Sequence, residues 1–162
     1  MPKAQALKVL HSPDKELRVV SKPVAVDRAA SPDMKALIED LKITMKKENG
    51  IGIAAPQVGV HERVIIVDMN NKPTAFINPE ISEKSFKLVD SEEGCLSVPG
   101  QWGLVKRHRS VTVKALDTHG NPVSFKVTGL IAIIFQHEVD HLDGVLFIDR
   151  AEALTDVGDS RI

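Results

Sequence analysis

The sequence predicts an α+β fold: mostly antiparallel β-sheets packed around a central helix that carries His137-Glu138-Val139-Asp140-His141, with an amphipathic helix nearer the N-terminus. Three observations predict it. Apolar residues recur at three- and four-residue steps from Met34 to Met45. Short β-type runs separated by turn residues fill the stretch from Arg63 to Val127. A second helical pattern, from about Leu130 to Leu142, is closed by Gly144.

Taken in order, the first thirty residues contain Pro2, Pro13 and Pro23, which predicts an extended arm with a turn around Ser12-Pro13-Asp14. Ser31 reads as a helix N-cap, Pro32 as the first helical position and Asp33 as an acid in the first turn. Met34, Leu37, Ile38, Leu41 and Met45 then share one face, and Asn49-Gly50 stops the helix. Val64-Ile65-Ile66-Val67, Thr74 to Ile77, Val105, Val111-Thr112-Val113 and Phe125-Lys126-Val127 are the expected strands. Asn70-Asn71, Asn78-Pro79 and His119-Gly120-Asn121-Pro122 supply the turns. With no repeat, low-complexity tract or linker, residues 1–162 read as a single catalytic domain with a short, frayed tail from about 151.

Composition narrows the function. Aromatic residues make up only 4% and there is no Tyr, so the core must rest on Val, Ile and Leu. A formal charge of −1 excludes a global pull towards nucleic acid or anionic lipid, leaving only a local patch; no DNA or membrane partner is expected. No run approaches the roughly 20 apolar residues of a spanning helix. The opening MPKAQALKVLHSPDK lacks the apolar region of a secretory signal. The single Cys95 precludes an intrachain disulfide and fits a reducing compartment, hence the cytoplasm.

The strongest chemical signal is His137-Glu138-Val139-Asp140-His141. Residues i and i+4 share a helix face, so the two imidazoles can meet one ion while Glu138 stands beside it as a general base for water. The plain alternative is a surface helix with two chance histidines. The apolar run from Leu130 to Phe135 argues for burial instead, and buried ionisable groups need partners. A catalytic site wants a third protein ligand and an open position. A metzincin would place a histidine at Phe147, and a thermolysin-like enzyme would need a later Glu, for which only Glu152 in the tail is available. Cys95, in Glu93-Gly94-Cys95-Leu96-Ser97-Val98-Pro99-Gly100, is the remaining candidate. Its other readings are a small buried hydrophobe or a nucleophile with a His partner. Gly50-Ile51-Gly52-Ile53-Ala54-Ala55 formally matches a dinucleotide fingerprint, but a helix precedes it and Pro56 follows. It reads better as an active-site loop that places Gln57.

Three segments together, Gly50-Ile51-Gly52-Ile53-Ala54-Ala55-Pro56-Gln57, Glu93-Gly94-Cys95-Leu96-Ser97 and Gln136-His137-Glu138-Val139-Asp140-His141, resemble the signature motifs of peptide deformylases in order and spacing. The likeness runs from Ser12-Pro13-Asp14 to about Arg150. It implies a metal-dependent hydrolase that removes the formyl group from the N-terminal N-formylmethionine of newly synthesised proteins and releases formate. Cys95, His137 and His141 would ligate one divalent ion, expected to be Fe(2+), with Zn, Ni or Co able to substitute. Ligand type alone would favour zinc. Glu138 would move the proton, and the Gln57 side-chain amide and the Leu96 backbone N–H would stabilise the oxyanion. Ile51, Gly52, Ile133 and Ile134 are candidates for the methionine slot, with ordinary core packing the alternative for each isoleucine.

The resemblance also suggests a structural ion pair between Glu48 and Arg107 behind the site, against two solvated charges, and Trp102 at the rim of the cleft. Lys106-Arg107-His108-Arg109 could touch ribosomal RNA, although a solvated strand edge is the better account. In the best-known bacterial members of the family it resembles, a basic C-terminal helix helps dock the enzyme on the ribosome. The tail here holds three acids and one Arg, which argues against ribosome docking by that route. Two competing readings are a metallopeptidase that cleaves internal bonds and a structural metal module with Cys95 closing a four-ligand site. The module would leave Glu138 idle, and no fourth strong ligand lies near the motifs.

Overall fold

The computed structural model describes residues 3–156, and its first helix starts at the expected cap. Ser31 Oγ accepts from the Met34 N–H at 3.1 Å, and α1 runs Pro32–Lys47. Beyond its C-cap Glu48, Asn49 turns the chain away at a φ of 58°, which suits an Asn. Met34, Ile38, Leu41 and Met45 are its buried face. Before it, the arm is broken by two short 3-10 turns, Lys15–Arg18 and Val26–Arg28. The arm is tied to α1 where the Leu7 N–H donates to Thr44 Oγ1 at 2.8 Å.

The strands are β1 (Gly52–Ala54), β2 (Val64–Met69), β3 (Lys72–Ser82), β4 (Leu88–Cys95), β5 (Val98–His108), β6 (Ser110–Leu116), β7 (Pro122–Thr128) and β8 (Leu154–Asp156). They form a five-stranded sheet of order β1-β2-β3-β6-β7 and a three-stranded sheet of order β4-β5-β8, antiparallel throughout. The second helix, α2, spans Gly129–Leu142.

Strand periodicity explains the layering. In β2, Val64 and Ile66 join the cluster beneath α1, whereas Ile65 and Val67 join the cluster beneath α2. The run of four apolar residues is needed because a helix covers each face of the large sheet. Phe76, Phe125 and Phe135 meet in the second cluster with ring centroids 5.0–5.8 Å apart. A third cluster, including Leu17, Cys95, Val105 and Phe147, lies under the small sheet.

Several expectations need correction. β1, β4 and β8 lack the apolar runs that marked the other strands. In β4 two of the buried positions are Ser91 and Glu93, so polarity hid it. The tail is not frayed at its start: the Glu152 N–H donates to Leu104 O at 2.9 Å, and β8 pairs with Gln101–Gly103. The remainder of the tail lies outside the described residues. Leu130 is 60% exposed, so burial of α2 begins at Ala132 rather than with the whole apolar run. Among the described residues no helix is long and apolar enough to cross a membrane.

Candidate metal centre

The far end of α2 is fixed before its ligands come into play. The Leu142 carbonyl accepts from the Ser21 N–H at 2.8 Å and from Arg63 Nη1 at 3.2 Å, which satisfies an orphan group of the last turn. Gly144 follows at φ 74°, where a Cβ would come within 2.5 Å of the Arg18 carbonyl oxygen. Glycine is required there for both reasons. Helical spacing then presents His137 and His141 on one face, with Glu138 beside them. All three are buried.

Cys95 comes from the end of β4, where the register with β5 shifts between Glu93 and Cys95 and the chain turns through Leu96-Ser97. The ligand atoms of Cys95, His137 and His141 all lie within 4.8 Å of one another. Cys95 Sγ is 3.3 Å from His141 Nε2. A thiolate and an imidazole bonded to one ion at about 2.3 and 2.1 Å stand at about this separation. Phe147, where a metzincin would carry its third ligand, instead stacks against the His137 ring at 6.3 Å between centroids.

In the metal-free chain, burial favours the uncharged form of Cys95, Glu138 and His141. Burial, and next the nearby Glu138, pushes the Cys95 thiol up. Burial, and next Glu93, pushes the Glu138 carboxyl well above its ordinary value. Burial, and next His137, pushes His141 well below its own. His137 Nε2 and both oxygens of Glu138 are buried with no protein partner. Such atoms are costly unless satisfied, and a cation with a water molecule would satisfy them. One thiolate with two neutral imidazoles is a donor set suited to a divalent transition ion. The residues fit the group.

Behind His137 lies a network of ion pairs. Glu93 is fully buried and accepts two bonds of 2.8 Å from Arg107 Nε and Nη2. Burial alone would raise the Glu93 carboxyl, but Arg107 and His137 override it and hold it at about 2. Arg107 Nη1 also reaches Asp140 at 2.8 Å, and Asp140 in turn receives Arg150. The partners of Arg107 are therefore Glu93 and Asp140, not Glu48, which is exposed. Strand alternation splits the basic cluster: Arg107 turns inward and Lys106 outward to pair with Asp90, while of the four residues Arg109, just past β5, is exposed with no ion pair to a described residue. Sequence reading missed Glu93 as a functional residue. Its position two residues before Cys95 was the one signal, and the register shift between the two kept strand alternation from revealing it.

Gln57 sits in a short 3-10 turn, Ala55–Val58, and is fully buried. Its Nε2 donates to Ser97 Oγ at 3.1 Å and lies 3.7 Å from Cys95 Sγ, so the loop brings this amide to the ligand cluster. Gly52 lies under Glu138: a Cβ there would stand 2.9 Å from Glu138 Cδ and 2.9 Å from Ile134 Cγ2. Ile134 is buried in the α2 cluster, while Ile51 and Ile133 are half-buried. Leu96 follows Cys95 directly in the turn. Trp102 is half-buried, and the Cβ of a residue replacing Gly94 would meet its ring at 3.2 Å, one residue from Cys95.

Residues 6–157 match the family model described as polypeptide deformylase. The chain belongs to the polypeptide deformylase family. It is similar to an actinonin-bound class I type b peptide deformylase from Acinetobacter baumannii, at 41% identity over 92% of this chain and 100% of that one, with a TM-score of 0.88. A Met-Ala-Ser-bound structure from the same organism matches at 39% identity over 91% of this chain and 99% of that one, TM-score 0.87. The peptide deformylase of Thermotoga maritima matches at 39% identity over 92% and 99% of the two chains, TM-score 0.86. The chain is thus a hydrolase that removes the formyl group from the N-terminus of nascent peptides.

Proposed function

We propose that Cys95, His137 and His141 hold the divalent ion and that Glu138 carries the proton of the deformylation. The observation behind this reading is a fully buried carboxyl with both oxygens unpartnered, one residue from a ligand on a helix whose two imidazoles converge with a thiol.

A divalent ion supplies Lewis acidity, which lowers the pKa of water from about 15.7 to about 7. The side chains do the rest. Glu138 accepts a proton from the attacking water, whose oxygen adds to the formyl carbon. Gln57 Nε2–H and the Leu96 N–H donate to the resulting oxyanion, a contribution of about 2.7–4 kcal/mol per donor in comparable sites. The C–N bond then breaks, formate leaves with the water oxygen, and Glu138 returns its proton to the methionine amine. Ile51, Gly52, Ile133 and Ile134 wall the methionine slot, with the bare Cα of Gly52 leaving room for the Glu138 carboxyl.

The Met-Ala-Ser ligand of the Acinetobacter relative supports short N-terminal methionyl peptides as products. The resident ion is read as Fe(2+), with Zn, Ni or Co as substitutes, and anaerobic purification with elemental analysis decides among them. The enzyme is read as a single cytoplasmic catalytic domain that meets peptides near the ribosome. The test is formate release from formyl-Met-Ala-Ser by metal-loaded protein, which also separates this activity from internal peptide-bond cleavage. Glu138→Ala should keep its metal and lose at least about a hundredfold in turnover. Wild-type turnover in that variant would refute the proton-carrier assignment.

A further inference from the structure

We propose that Ser97 is a positioning residue whose hydroxyl fixes the plane of the Gln57 amide, so that one N–H of that amide points at the reacting centre. This rests on the reading of Gln57 as an oxyanion donor.

A glutamine amide has a donor end and an acceptor end of nearly equal size, joined through a soft terminal torsion. Turned over, it would present a carbonyl oxygen to a developing negative charge and repel what it should stabilise. Two contacts prevent this. The Ala54 N–H, which can only donate, meets Gln57 Oε1 at 2.9 Å and decides which end faces it. Ser97 Oγ accepts from Gln57 Nε2 at 3.1 Å and fixes the rotation of the other end. The remaining Nε2 hydrogen is then available towards Cys95 Sγ, 3.7 Å from Nε2, where the ligand atoms converge.

Ser97 is well built for this task. Its N–H donates to Cys95 Sγ at 3.4 Å and its carbonyl accepts from the Ser12 N–H at 2.8 Å, so its backbone is held on both sides. Both Ser97 and Gln57 are 0% exposed, which keeps bulk water from replacing the hydroxyl. Neither backbone contact depends on the Ser97 side chain, so removing the hydroxyl leaves the thiol ligand supported.

A double-mutant cycle on the metal-loaded enzyme tests the inference. Ser97→Ala should lower kcat about five- to tenfold, the worth of one buried hydrogen bond, with KM and metal content unchanged. Gln57→Ala should cost about a hundredfold, and Ser97→Ala added to it should cost nothing more. Ser97→Thr should restore the rate. In the zinc-loaded protein, the Gln57 side-chain amide should give two shifted, slowly exchanging NMR signals that collapse towards free-amide values in Ser97→Ala. If Ser97→Ala folds poorly, Ser97→Cys, close in volume but a weak acceptor, carries the same expectation. Full kcat in Ser97→Ala beside a slow Gln57→Ala overturns the role of Ser97. So do additive losses in the double variant. Full kcat in Gln57→Ala overturns the reading of Gln57 itself.

Discussion

Glu93 Oε1 lies 2.8 Å from His137 Nδ1. Held at about 2, the Glu93 carboxyl is ionised and can only accept, so the ring must donate through Nδ1. That leaves the lone pair on Nε2, the atom with no protein partner and the one a metal would take. A carboxylate on β4 thus decides the tautomer of a proposed metal ligand on α2.

Glu93→Gln keeps the shape but weakens this control. Its metal affinity should fall about 10- to 100-fold in competition with a chelator. Wild-type affinity in the variant would remove Glu93 from the ligand's support.

Arg107→Met tests stability instead. Arg107 is 3% exposed and Glu93 0%, so the substitution leaves a buried carboxylate facing only His137. Urea denaturation should show a loss of about 3–5 kcal/mol, the typical result of removing one partner of a buried ion pair. A loss under about 1 kcal/mol would mean that Glu93 finds water or a proton readily.

The two buried glutamates give the metal-free protein opposite pH dependences. The Glu93 carboxyl is lowered from 4.5 to about 2, so its stabilisation is complete above about pH 4.5 and disappears as pH falls towards 2. Glu138 is raised, so the folded chain retains a proton that the unfolded chain has released above about pH 4.5; stability then declines as pH rises. Glu138→Gln should therefore raise Tm of the metal-free protein at pH 8 more than at pH 5. Equal gains at both pH values would contradict the raised carboxyl. Binding needs deprotonated ligands, so metal affinity should climb about tenfold per pH unit near neutrality, as measured by titration calorimetry.

Gly52→Ala drives a methyl group against Glu138 and Ile134, both within 2.9 Å of the Cβ position. Overpacking of this kind costs about 1–3 kcal/mol. Turnover should fall because the displaced group is the proposed proton carrier, while metal content stays the same. Unchanged kcat would show that Glu138 has room to move.

Much of this was readable along the chain. The faces of α1 and α2 and the glycine after α2 depend on neighbours within a turn or two, so periodicity and cap chemistry reveal them. The same local logic put His137, Glu138 and His141 together. Arg107 was within reach as well, because it lies two residues from buried Val105 and so shares its strand face. β4 was not, since its charged and small residues look like a loop until β5 pairs with it along its length.

The sequence alone determined the helix that bears two imidazoles and a carboxyl, because that spacing is a property of any α-helix. It could not determine that Glu93 faces His137, that Arg107 pairs with Glu93 rather than Glu48, or that Ser97 meets Gln57. Those contacts join residues from different elements, and a side chain's partner there is set by sheet register and by which layers close around it. Only the tertiary structure decides both.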